Sequence, residues 1–345
     1  MATSKKILIL GNFGYESNNI GGQTIKTRNI LDLLRSKTGS GEVDYFDIDS
    51  LYVNKFNFLH MFKAFTKADV ILLVPGQKFL NVIFPLLYGI NKIFKKDIHL
   101  FAVGGWLSDF ISGKAKLAYK LKNINVFVES VSLKRDLIEK NNLRKVSVFP
   151  NFRFHDFEPK PYESDSTFKL LFFARITKAK GYDTLFDFAR YYANNRSLFN
   201  REIKIDFYGP LDPEYERDFL EKAALLDIVS YNGVVSPKEV FGIISKYDLT
   251  VLPTVHPGEG FPGTIVDSYI AGVPVVVTRW KNLPEYVDED ITGYIYNVGD
   301  NSRLYEIIRD LVNNPVKLAV LKKQSHNKSI EYSAEKAWEI IRTLI

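Results

Sequence analysis

Pro257-Gly258-Glu259-Gly260-Phe261-Pro262-Gly263-Thr264-Ile265-Val266-Asp267 lies between two apolar runs, Leu249–Leu252 before it and Val273–Val277 after it. Short apolar runs rich in Val and Leu, bounded by turn residues, read as strands buried on both faces. The glycine-rich loop leaves the first run, and a helix opens near Gly263. Ala271-Gly272 then leads into the second run. A strand, a helix and a second strand in that order make a parallel pair with a crossover helix.

The same alternation extends through the chain. Upstream, strands are expected at Ile7–Leu10, Val43–Ile48, Val70–Val74, Ile98–Val103, Val126–Val128 and Val146–Phe149. Helix-like stretches separate them at Gly22–Leu34, Phe58–Lys67, Val82–Phe94, Lys114–Leu121 and Ser132–Asn141. Asn151–Ser166 follows Pro150, carries two further prolines and little periodicity, and so reads as a connector. A second series follows, with strands at Lys169–Phe173, Ile203–Tyr208, Leu249–Leu252, Val273–Val277 and Tyr294–Tyr296. Its helices are expected at Tyr182–Tyr192, Pro213–Leu225, Pro237–Lys246, Gly263–Ala271, Asn301–Asn313 and Val316–Tyr332. A last helix starts from Ser333 as N-cap. The fold class is α/β, in two doubly wound Rossmann-like units, 1–150 and 151–332.

A length of 345 residues suits two such units. With 46% hydrophobic and 25% charged residues, the composition excludes a disordered or fibrous chain. The absence of cysteine excludes disulfides, thiolate zinc sites and a cysteine nucleophile. No stretch reaches the roughly 20 apolar residues of a bilayer span, and the apolar run after Lys5-Lys6 is too short for a signal peptide. The net charge of +6 is unevenly spread, with 22 Lys and Arg against 12 Asp and Glu in residues 1–150. Eleven lysines against three aspartates fall in 51–122, interleaved with Phe, Leu, Ile and Tyr. That pattern suits an anionic membrane surface. Nucleic acid is set aside as a partner, because no recognition motif accompanies the basic residues.

Three places can carry chemistry. Gly11-Asn12-Phe13-Gly14 and Gly21-Gly22 flank a polar loop before a helix, where backbone can approach an anion closely. Phe173-Ala174-Arg175-Ile176-Thr177-Lys178-Ala179-Lys180-Gly181 leaves the first strand of the second half. Arg175 there offers a fork for phosphate oxygens and Lys180 a point charge. The stretch quoted at the outset adds Glu259, a helix N-terminus with free N–H groups, and Asp267 one turn beyond Gly263. Carboxylates there suit sugar or ribose hydroxyls, and the amides suit phosphate. His60, His99, His155, His256 and His326 show no metal-ligand spacing, and only His256, three before Glu259, falls near this site. Asp47-Ile48-Asp49 spells D-x-D but reads as loop carboxylates. No metal is expected.

Glu259-Gly260-Phe261-Pro262-Gly263 with Asp267, Ala174-Arg175 with Lys180-Gly181, and Gly21-Gly22 resemble, in order and spacing, the retaining glycosyltransferases of family four, which have the GT-B fold. The resemblance implies two units facing across a cleft, with the final helix, 333–345, returning to the first. The first unit would take a glycan or lipid-linked acceptor and the second a nucleotide diphosphate sugar. Arg175, Lys180 and Glu259 would be catalytic. Arg175 and Lys180 would neutralise the diphosphate, and Glu259 would hold hydroxyls of the sugar. Gly21, Gly22, Gly260, Phe261, Gly263 and Thr264 would line the donor, Asp267 would hold the ribose, and Val234 would lie along the base. The donor is a co-substrate, so no cofactor is implied.

Two residues depart from the family pattern. Asp267 stands where glutamate is usual, and Pro262 lacks an N–H. The histidine that many members carry in the first half is absent from Ala102–Asp109. The implied setting is cytoplasmic and peripheral on the inner membrane face, in bacterial surface polysaccharide synthesis. A sugar-nucleotide epimerase of the same fold and a non-catalytic GT-B binding subunit are the alternatives.

Overall fold

The structure, a computed structural model, describes residues 5–15 and 21–345. The polar loop before Gly21 therefore falls largely outside the described residues. The chain forms two compact units, Met1–Phe154 with Tyr332–Ile345, and His155–Glu331.

In the first unit the strands are β1 (Ile7–Gly11), β2 (Val43–Asp47), β3 (Val70–Val74), β4 (Asp97–Phe101), β5 (Asn125–Val128) and β6 (Val146–Val148). They form one parallel sheet in the order β2-β1-β3-β4-β5-β6. All five residues of β1 and of β3 are buried, as runs with no polar alternation require. Helices cover both faces. On one side Gly22–Thr38 and Ala334–Ile341 join Ile30, Leu34, Phe101, Phe149, Phe152, Ala337 and Ile341 in a core. Ser333 caps the last helix by accepting the Lys336 N–H at 3.3 Å.

A buried ion pair crosses this unit. Lys26 Nζ donates to Glu129 Oε1 and to the Phe149 carbonyl, each at 2.9 Å, and Gly104 N–H donates to Glu129 Oε2 at 2.8 Å. The side chains are 2% and 3% exposed. Burial pushes the Lys26 pKa below the usual lysine value, and Glu129 opposes it. Asp47, the last residue of β2, uses its carboxylate to hold backbone, accepting the N–H groups of Phe13, Tyr15 and Asp49 at 3.0 to 3.2 Å.

In the second unit the strands are β7 (Thr167–Phe173), β8 (Glu202–Tyr208), β9 (Val229–Tyr231), β10 (Leu249–Leu252), β11 (Val275–Thr278) and β12 (Gly293–Tyr296). The parallel order is β12-β11-β10-β7-β8-β9. The sequence reading lacks β9. Three residues, Val-Ser-Tyr, on the sheet edge give no run of apolar residues to read. The helices expected at Pro213–Leu225 and Pro237–Lys246 shrink to Glu216–Ala223 and Val240–Ile244, because proline fits only a helix's first turn or the loop before it. The last helix ends at Ile341.

Candidate nucleotide-sugar site

In the second sheet β7 has β8 on one side and β10 on the other, so the connections reverse direction between β7 and β10. Ligands of doubly wound sheets bind beyond the strand C-terminal ends at such a reversal. The segments leaving those ends are Ala174–Gly181 and Pro253–Pro262, the two stretches singled out in this half of the sequence.

One glycine lets them meet, and a second lets the end of β8 pass close to Ala174. Gly181 has φ +82, and a Cβ there would lie 2.1 Å from the Pro253 carbonyl oxygen. Gly209, at φ +135, would place a Cβ 2.0 Å from the Ala174 oxygen. No other residue fits either position. Val255 N–H donates to the Ala179 carbonyl at 2.8 Å, closing the two loops together. Thr177 caps the short turn Lys178–Lys180 through the Lys180 N–H.

Lys180 and Glu259, 79 residues apart, form the centre. Lys180 Nζ donates to both Glu259 oxygens, at 2.7 and 2.9 Å, and Thr254 Oγ donates to Oε2 at 2.7 Å. Glu259 is 6% exposed and Lys180 22%. The carboxylate thus fixes the ammonium, and Thr254 and Lys180 together keep its own oxygens oriented. Arg175 is exposed, and its guanidinium has no partner among the described residues.

The helix Gly263–Ile270 starts beside this pair. Its Gly263 and Thr264 N–H groups carry no hydrogen bond among the described residues, as the first turn of a helix leaves them. Thr264 Oγ donates to the Phe173 carbonyl at 2.6 Å, fixing the helix start to the end of β7. Phe261 stacks on Tyr286 at 3.8 Å between centroids, which anchors the loop that carries Gly260. Asp267, one turn into the helix, is buried. Val234, beyond β9, is exposed, and the adjacent Gly233 carbonyl accepts the Gly209 N–H at 2.8 Å. Gly21 and Gly22 belong to the first unit, where a Cβ on either would meet nothing within 4 Å.

Thr254 and the bonding of His256 escape a reading of the sequence alone. His256 Nδ1 accepts the Gly258 N–H at 3.1 Å, its own N–H donates to Thr254 Oγ at 3.2 Å, and its carbonyl accepts Trp280 Nε1 at 2.8 Å. An accepting Nδ1 places the imidazole proton on Nε2. Burial, and then the charge of Lys180, push the His256 pKa down, with Glu259 opposing. A folded pKa below the unfolded one means stability present above the ordinary histidine value of 6.5 and lost as the pH falls below it. Melting of wild type and of His256→Gln should therefore be compared at about pH 7.5 and about pH 5. Wild type is expected to lose more than the variant on acidification, and a gap that stays constant would remove His256 from this account.

A family model described as glycosyl transferases group 1 matches residues 154–332. The amylovoran biosynthesis glycosyltransferase AmsK of Erwinia amylovora is 24% identical over 177 residues, which are 49% of this chain and 41% of that one. The chain thus spans less than half the length of that relative. Among solved structures, HepE of Anabaena in complex with UDP superposes with a TM-score of 0.76 at 15% identity, covering 98% of this chain and 99% of that one. The sucrose-phosphate synthase of Thermosynechococcus elongatus gives 0.77 at 15%, covering 99% and 98%. These likenesses establish the GT-B fold.

Proposed function

The chain belongs to the glycosyl transferases group 1 family, and from that premise we propose that it moves a hexosyl group, with retention, from a nucleoside diphosphate sugar to a lipid-linked or surface glycan precursor. The Lys180–Glu259 pair beside the free amides of Gly263 and Thr264 carries this reading. AmsK, a relative named as an amylovoran biosynthesis glycosyltransferase, and a fold neighbour crystallised with UDP support it.

Arg175 and Lys180 neutralise the diphosphate, together with the helix N-terminus. Glu259 and the Gly260–Phe261 backbone hold the sugar, Asp267 the ribose and the Val234 loop the base. The bond from the anomeric carbon to the phosphate oxygen breaks. The acceptor hydroxyl bonds to the same face of that carbon, and its proton passes to the leaving phosphate. Side-chain cations do the work of a metal, so the reaction needs none. Among the described residues no group of three or more His, Asp or Glu side chains is placed to hold one.

A set of nucleotide sugars screened for thermal stabilisation in the presence of chelator tests the donor. The right one is expected to add about 2.7 kcal/mol at a hundred times its Kd, and to support transfer with chelator present. No stabilisation by any nucleotide sugar, or activity restored only by magnesium or manganese, would overturn the reading.

The acceptor side meets an anionic bilayer. The helix Gln77–Phe94 buries Phe79, Leu80, Phe84 and Leu87 against its own sheet. It also exposes Val82, Leu86 and Ile93 along the opposite face, with Ile93 79% exposed. A helix apolar on both faces calls for a second cover. Lys78, Lys92 and Lys95 flank the stripe, and Phe56 on a neighbouring segment is 77% exposed. Among the described residues no helix is long and apolar enough to cross a membrane, and the attachment proposed is a peripheral one. The protein is expected to sediment with anionic vesicles at low salt and to be released at high salt. Equal indifference to anionic and neutral vesicles would leave a soluble acceptor.

A further inference from the structure

At the N-terminal ends of β4, β5 and β6 lies a cavity of about 260 Å³. This is the sheet edge opposite the strand C-terminal ends where doubly wound sheets take their substrates. Lys92, Lys96 and Lys145 line it, with Tyr88, Asn123 and Asp97. The neutral polar groups are engaged with one another. Asn91 clamps the backbone of Lys96 from both sides, its carbonyl accepting the Lys96 N–H and its amide donating to the Lys96 carbonyl, each at 2.8 Å. Asn123 donates to Tyr88 Oη at 3.0 Å, which leaves the phenolic proton of Tyr88 free to be donated.

The Lys92, Lys96 and Lys145 ammonium groups have no carboxylate or carbonyl partner among the described residues. The one carboxylate in the wall, Asp97, faces His99 Nε2 at 3.3 Å. The turn that sets Lys96 in the wall is strained. Lys95 sits at φ +51, a left-handed conformation that glycine would adopt more easily. Three lysines and one carboxylate in the same wall leave an excess of positive charge, which a tetrahedral anion with several acceptor oxygens would balance.

We propose that this cavity binds a phosphate-class anion, held by Lys92, Lys96, Lys145 and the Tyr88 hydroxyl. At about 260 Å³ it admits a phosphate with a short alcohol such as glycerol, and is smaller than pockets for drug-sized ligands, which start at roughly 300 Å³. The nucleotide sugar is assigned elsewhere, beyond the strand C-terminal ends of the second sheet. The same chemistry is offered by free phosphate and by a lipid phosphomonoester. Ile93, exposed next to Lys92, places the cavity mouth beside the apolar stripe described above.

The test is a titration of the full chain with inorganic phosphate at constant ionic strength, chloride balancing, followed by the side-chain amide resonances of Asn123 and Asn125. Vesicles of phosphatidylcholine containing phosphatidic acid form a parallel arm. Saturable shifts at those two amides are expected, with affinity falling about tenfold in Lys96→Gln and further in Lys92→Gln/Lys145→Gln. The Lys37→Gln/Lys238→Gln variant removes the same charge at residues that do not line the cavity, and is expected to bind phosphate as wild type does. Vesicle binding that free phosphate competes away assigns the anion to lipid, and phosphate binding without that competition assigns it to a soluble phosphate. Shifts that track ionic strength alone, or equal losses in the cavity and control variants, would overturn the site.

Discussion

Glu259→Ala is expected to lower turnover by about a thousandfold, roughly 4 kcal/mol of transition-state stabilisation, while the protein stays folded. The carboxylate is the shared partner of Lys180 and Thr254, so its removal frees the ammonium as well as deleting a sugar contact. Lys180→Ala is expected to lower turnover too, with an added loss of stability. It leaves a 6%-exposed carboxylate without its cation, a change that costs about 3–5 kcal/mol when the charge is fully buried and less here, where Lys180 is partly exposed. Arg175→Ala separates the two effects. Its guanidinium is exposed and has no partner among the described residues, so stability should change by about 0.5 kcal/mol or less and turnover alone should fall. Steady-state rates beside thermal melts of the three variants decide it. Near wild-type turnover in all three would mean that the chemistry happens elsewhere.

Lys26→Met is expected to have the largest effect on stability. It takes the ammonium away from Glu129, which is 3% exposed and also accepts the Gly104 N–H. About 3–5 kcal/mol should be lost, which for a unit of this size lowers Tm by roughly 10 °C. Lys26→Met/Glu129→Leu should recover most of it, since a buried ion pair and an apolar pair of similar volume are nearly equivalent. A single variant melting within a degree of wild type would show that the pair is not the tie it looks to be. Because Lys26 lies in the first turns of the helix Gly22–Thr38 and Gly104 follows β4, the pair ties the start of that helix to the loop after β4.

What the sequence makes legible follows from how far each signal reaches. Val70–Val74 is five apolar residues with turn signals on either side, and the strand has those bounds. Local order of that kind suffices for the α/β reading and for placing Arg175, Lys180 and Glu259 at strand ends. The short edge strand Val229–Tyr231 is invisible, because its alignment comes from β8 beside it and not from its own residues. The hydrogen bonds of Thr254, like the Lys26–Glu129 pair, join residues that nothing in local periodicity connects. Taken singly, a lysine in a helix and a glutamate before Ser130 look like solvated charges. The close fit of Gly181 against Pro253 is tertiary in the same way, since the glycine can be read as a turn but its neighbour cannot.

The return of the helix Ala334–Ile341 to the first unit bears on the order in which the protein is made. The outgoing and returning segments bond where they pass, Arg153 N–H to the Tyr332 carbonyl at 3.0 Å. His155–Glu331 is therefore an insertion within a unit that began earlier and closes later. On the ribosome, at about 5–20 residues per second, the first six strands wait roughly 10–35 s for Ala334, Ala337 and Ile341 to cover Ile30 and Phe152. During that interval the second unit emerges whole. The half synthesised last can thus finish folding first, while the half synthesised first carries an uncovered apolar face that a nascent-chain chaperone would be suited to shield.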